Sequence, residues 1–123
     1  PVTGRYVCIE ALNSQDGKDL ACIAEMYFLD KDGSRLSREP WIVKYADSED
    51  VAHVNRSADK TFDLQESTYW STEKGSPYPH TIVIDLGASH ALTGFQCLPR
   101  MESEVPGGIK DFKIYVKGEN FKY

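Results

Sequence analysis

Cysteine is scarce in this chain. Cys8, Cys22 and Cys97 are the only three in 123 residues, and none forms a Cys-x-x-Cys pair or a Cys/His metal spacing. A zinc-type site therefore has no framework. Their neighbours (YVCIE, ACIAE, FQCLP) are strand-like, which reads as small buried hydrophobes, with a Cys8–Cys22 bridge left open if their strands adjoin. Histidine is equally sparse: His53, His80 and His90 lie far apart and read as surface or loop residues rather than as a base or a ligand set. Positive charge is in the minority, with 14 Lys and Arg against 19 Asp and Glu, a net charge of -5, and no basic cluster. That excludes nucleic acid and anionic membrane as partners, since both would need a basic patch. No apolar run approaches the roughly 18 residues that span a bilayer. No signal peptide is visible and the chain opens on Pro1, so it reads as a mature piece or an excised fragment whose start does not tell its compartment. The GxSxG, HExxH, P-loop and GxGxxG patterns are all missing. No window supports a helix of three turns.

What remains is period two. RYVCIEAL (5–12) and ACIAEMYFLD (21–30) read as strands joined through the Asp16-Gly17 turn signal, and LDKDGSRLS (29–37) holds a second Asp-Gly turn. PWIVKYADSE (40–49), TIVIDLG (81–87), ALTGFQCLP (91–99) and KDFKIYVKG (110–118) complete the set. Alternation puts Ile82, Ile84 and Leu86 on one face, and Phe112, Ile114 and Val116 inward on the last strand. Short strands separated by turn signals predict an all-β sandwich or barrel. At this length the chain is one domain with one core.

Paired acids occur at SED (48–50) and at Glu102 and Glu104, and read as solvated loop acids rather than a glycosidase pair. The loop at 60–68, KTFDLQEST, gathers Asp63, Gln65, Glu66, Ser67 and Thr68, the hard oxygen donors that Ca2+ prefers, though without EF-hand spacing. Trp70 follows in STYWSTEKGSPYPH, where it is either a stacking surface for a ligand or a plug in a small core.

Taken together, ADKTFDLQESTYWST, PHTIVIDLG, LTGFQCLPR and GGIKDFKIYVKGENF resemble the coagulation factor 5/8 type C, or discoidin, domain over residues 45–123. The nearest flavour is the family 32 carbohydrate-binding modules. GRYVCIEALNSQDGKDLACIAEMYFLD, within residues 1–30, resembles that family's C-terminal strands but here comes first. The order is either one domain permuted or the tail of one module joined to part of a second. The resemblance implies a β-sandwich jelly roll of the galactose-binding-domain type, not an enzyme. It implies a secreted, periplasmic or cell-surface setting and fusion to a catalytic domain of a glycan-processing protein. It also implies a structural Ca2+ held by the Lys60 carbonyl, Asp63, the Gln65 carbonyl, Thr68, the Ala24 carbonyl and Glu25. For carbohydrate, galactose-type or another glycan, it implies Arg100 with an acid among Glu49 and Asp50. Ser71 stands where galactose-binding relatives carry histidine, Tyr78 offers an aromatic, and Glu102 or Glu104 adds acceptors. The same resemblance places Trp70 in the core. The alternative is a structural or protein-interaction sandwich that packs on a neighbouring domain and binds no sugar.

Overall fold

The computed structural model describes residues 2–14, 21–52, 54–63, 68–73, 75–98 and 109–122. Eight strands follow in order: β1 (Val2–Ala11), β2 (Cys22–Ile23), β3 (Glu25–Leu29), β4 (Ile42–Ala46), β5 (Trp70–Ser71), β6 (His80–Leu92), β7 (Gly94–Leu98) and β8 (Phe112–Lys117). A 3-10 helix at Ala58–Phe62 precedes β5. The main sheet is antiparallel in the order β4-β6-β1-β8, and β2-β5 and β3-β7 form two further pairs. The chain is an all-β sandwich.

Alternation accounts for the core. Ile82, Ile84 and Leu86 of β6 face inward with Val7 and Ile9 of β1, and meet Met26 and Phe28 of β3, Trp41 and Trp70. Each such side chain contributes about 1.5–3 kcal/mol by leaving water. Ile114 and Val116 of β8 pack against this core from the edge, while Phe112 is largely exposed and meets Phe95 edge-on at 5.7 Å. The Asp-Gly turn at 32–33 forms as expected. Gly33 takes a φ of 78°, and the Asp30 carboxylate accepts the N–H groups of Asp32 and Ser34 at 2.8 and 3.0 Å.

Partnership differs from the expected hairpin of the first two segments. The Asp16-Gly17 signal lies outside the described residues, and β1 pairs with β6 and β8 instead of with β2 or β3. The second segment also splits, β2 pairing with β5 and β3 with β7. Every strand described within residues 2–29 thus pairs with a strand from the later part of the chain, residues 70–117. Cys8 and Cys22 lie in different sheets, so the bridge left open between them does not form. Burial pushes the Cys8 thiol up, which keeps it protonated and inert. Cys97 is exposed rather than buried, on a strand paired only with β3 among the described residues.

On the outer face of the main sheet, Arg5 grips Asp85 with two parallel bonds, Nε to Oδ1 at 2.8 Å and Nη2 to Oδ2 at 3.1 Å. The Gly87 N–H adds a third at 2.7 Å. The Arg5 bond holds the Asp85 carboxyl below the usual carboxylate range, against the opposing effect of burial. A lowered folded value stabilises the fold above the unfolded pKa of about 3.9, and that stabilisation disappears as pH falls through the folded value. Wild type should therefore melt slightly higher than Arg5→Ala at pH 7. The gap should begin to narrow as pH falls past the unfolded value of about 3.9 and close only below the lower folded value in a series of melting curves, and a gap that never narrows on acidification would assign Arg5 a packing role instead. The effect is small because Arg5 is half exposed.

Candidate functional site

Three segments converge where β4 ends and β5 and β6 begin. The Trp70 indole N–H donates to the Ser48 carbonyl at 2.9 Å, and the Glu73 N–H donates to the Ser48 hydroxyl at 2.8 Å. Ser48 and Ser76 hydroxyls meet at 3.3 Å. Asp47 bonds the Thr81 N–H at 2.7 Å through one oxygen and His80 Nδ1 at 2.8 Å through the other. Tyr78, half-buried, packs its ring against His80 at 4.5 Å. The 47–50, 70–73 and 76–80 segments are thereby cross-linked at one end of the sandwich.

Of the residues expected to meet carbohydrate, four fall here, and they differ in what they offer. Glu49 is half-buried and its carboxylate accepts the Ala58 N–H at 2.7 Å, fastening the start of the 3-10 helix. Asp50 is half-exposed, its backbone N–H donating to the Ser71 carbonyl at 2.8 Å. Ser71 is itself buried on β5, where its hydroxyl donates to the Thr72 carbonyl and lies 3.3 Å from Cys22 Sγ. It is a strand residue rather than a loop contact. Tyr78 keeps part of its ring at the surface. Arg100, Glu102 and Glu104 lie outside the described residues.

His80 was expected at the surface and is instead fully buried, on the inward end of β6 against Asp47. Sequence reasoning missed this pair, along with Ser48, Ser76 and Arg56, whose guanidinium lies 3.9 Å from the Tyr69 ring centroid. The one available signal was position: His80 falls in phase with Ile82 and Ile84, and so on the inward face.

The second region lies between β3 and the 3-10 helix. Glu25 is buried on β3 beside buried Ala24, and Arg38 joins it to the helix through the Thr61 carbonyl. At the helix's end the Thr68 hydroxyl bonds the Asp63 carboxylate. Lys60 sits within the helix with its N–H on the Ser57 carbonyl at 3.1 Å. Gln65 lies outside the described residues. Glu25, Asp63 and Thr68 offer only oxygen donors, two of them carboxylates, a chemistry that suits a hard cation such as Ca2+ rather than a soft one. Among the described residues, no group of three or more His, Cys, Asp or Glu side chains is placed to hold a metal ion.

These observations define an antiparallel β-sandwich domain whose loops are cross-linked at one end, with an oxygen-rich segment before a buried tryptophan. Residues 44–123 match the F5/8 type C domain, and the chain belongs to that family. A sialidase from Micromonospora viridifaciens is 34% identical over 73 residues, covering 56% of this chain and 11% of its own length. A galactose oxidase from Gibberella zeae is 30% identical over 91 residues, covering 71% of this chain and 13% of its own. The chain thus spans only about an eighth of the length of these relatives. No helix among the described residues is long and apolar enough to cross a membrane.

Proposed function

We propose that this chain is a non-catalytic carbohydrate-binding module of a larger secreted, periplasmic or cell-surface glycan-processing protein. Residues 1–30 complete the sandwich whose other part is 45–123. The observation that carries this reading is the convergence of the 47–50, 70–73 and 76–80 segments at one end, with part of Tyr78 and Asp50 left accessible. A pyranose docks its C–H face on an aromatic ring and its hydroxyls on charged donors and acceptors. Tyr78 supplies the first, Asp50 the acceptor, and Arg100 a forked donor. Glu104 adds a further acceptor, while Glu49 and Ser71 support the loops from beneath. The site is shallow and weak, and works by raising the local concentration of polymer near a tethered enzyme.

A glycan array should give hits, and calorimetric titration of the best glycan should weaken by about tenfold or more in Arg100→Ala, the usual cost of a lost charged hydrogen bond. Binding unchanged by that substitution would remove Arg100 from the site. The Ca2+ held by the Lys60 carbonyl, Asp63, the Gln65 carbonyl, Thr68, the Ala24 carbonyl and Glu25 belongs to the same reading, as a structural ion. EDTA should lower the melting temperature by a few degrees, because a ligand of the folded state stabilises it by mass action.

The second reading, a module that packs on a neighbouring domain and binds no sugar, is favoured by an apolar groove of about 270 Å3. It is lined by Val2, Phe28, Leu92, Phe95, Ile114 and Val116, at the β8 side of the sandwich. A silent glycan array together with tight association to the adjoining domain would select it.

A further inference from the structure

Arg38 is a buried cation in a place where the sequence suggested none. Its side chain is 7% exposed and that of its partner Glu25 is 1% exposed. A single nitrogen, Nη1, donates toward Glu25 Oε2 at 3.2 Å, the Thr61 carbonyl at 3.3 Å and the Met26 carbonyl at 3.4 Å. An NH2 group has two hydrogens, so three oxygens around it exceed what hydrogen-bond pairing requires. They form the environment of a desolvated positive charge. Tyr27 completes it, with the guanidinium carbon 4.1 Å from its ring centroid. The backbone at this position is fixed too, since the Trp41 N–H donates to the Arg38 carbonyl at 3.2 Å. One carboxylate, two carbonyls and an aromatic face thus hold the guanidinium between β3 and the 3-10 helix. The calcium reading assigns Glu25 to the ion at this same junction.

We propose that Arg38 is a tethered cation that competes with the divalent ion for Glu25. With no metal bound, the guanidinium fastens β3 to the 3-10 helix and neutralises the buried carboxylate. Once Ca2+ is bound at Asp63 and Thr68, it must share Glu25 with a charge already in place, so the metal adds little. The domain is therefore folded without calcium, and its response to calcium is set by Arg38. This inference rests on the calcium reading above, and the test separates the two.

Melting curves are recorded for wild type, Arg38→Met and Arg38→Lys in EDTA and in CaCl2 up to about 10 mM, roughly tenfold above the weakest dissociation constants of extracellular calcium modules. Wild type should be folded in EDTA and gain only a few degrees from Ca2+. Arg38→Met should melt lower in EDTA, because the buried Glu25 carboxylate loses its guanidinium partner. Its calcium-induced rise should be at least twice that of wild type, because Arg38 no longer competes with the ion for Glu25. Arg38→Lys retains a charge and should keep a small, wild-type-like rise. If Arg38→Met is unfolded in EDTA, recovery of its melting transition in CaCl2 supports the same conclusion. Equal rises in wild type and Arg38→Met would overturn the competition and leave the calcium site standing. An absence of any rise in all three proteins would remove the calcium site and the competition with it.

Discussion

Replacing Trp70 by alanine should destabilise the domain by about 3–5 kcal/mol, the usual cost of deleting a large buried aromatic. That is about a fifth or more of the total stability of a typical domain. The side chain is 1% exposed, sits at the centre of the core, and belongs to β5, where it pairs with Ile23. Its indole N–H also holds the Ser48 carbonyl at 2.9 Å, and Ser48 in turn holds Glu73 and Ser76. The tryptophan therefore does two jobs, filling the core and anchoring the loop end. Trp70→Phe separates them. It keeps most of the buried area but leaves the Ser48 carbonyl without its donor, at a cost of about 1–3 kcal/mol. Thermal or urea unfolding of both variants, beside glycan titration of Trp70→Phe, decides the matter. A stacking residue would show small losses of stability and nearly complete loss of affinity. A core residue shows large losses of stability, with affinity falling only as far as the loops loosen.

The sequence made this core role of Trp70 readable through resemblance, and made the strand faces readable through alternation. Ile82, Ile84, Leu86, Ile114 and Val116 all point where period two puts them. Alternation says which face a residue occupies but nothing about which strand lies beside it. The nearest segments were accordingly expected to pair, whereas β1 inserts between β6 and β8. Long-range polar pairs are illegible for the same reason. Asp47 and His80 are 33 positions apart, and nothing in either neighbourhood shows that the exposed Asp47 will supply a hydrogen-bond partner for the buried His80 ring. Ser71 reads as a loop residue because β5 is two residues long, too short for any periodic signal. Arg38, in GSRLSREP, looks like one of several solvated charges beside a turn. Only the fold reveals that Glu25, Met26 and Thr61 surround it. The meeting of Glu25 with the 3-10 helix was legible only through the family resemblance, since no spacing rule links residue 25 to residue 63.

Gly4→Ala should destabilise the main sheet through a single added methyl group. A Cβ at this position would lie 2.6 Å from Val116 Cγ1, 2.7 Å from the Lys117 carbonyl oxygen and 2.9 Å from its carbon. The Val116 side chain can rotate away, but the Lys117 main chain can retreat only if β8 moves off β1. Overpacking of this kind costs about 1–3 kcal/mol. Here the strain falls on the end of the ladder that runs from Tyr6↔Lys117 to Ala11↔Phe112. Gly118→Ala is the control: its added Cβ meets nothing within 4 Å, and its stability should be within a few tenths of a kcal/mol of wild type. Hydrogen exchange then shows how the damage spreads. β8 amides should lose protection first, while the β4–β6 pair, on the far side of β1, keeps its own hydrogen bonds. If residues 2–11 fold as part of this sandwich, Gly4→Ala lowers the midpoint of a single cooperative unfolding transition. If they were only a loosely docked tail, the variant would release β1 alone and leave that midpoint where it was. Equal stability of Gly4→Ala and Gly118→Ala would mean that β1 and β8 do not lie this close.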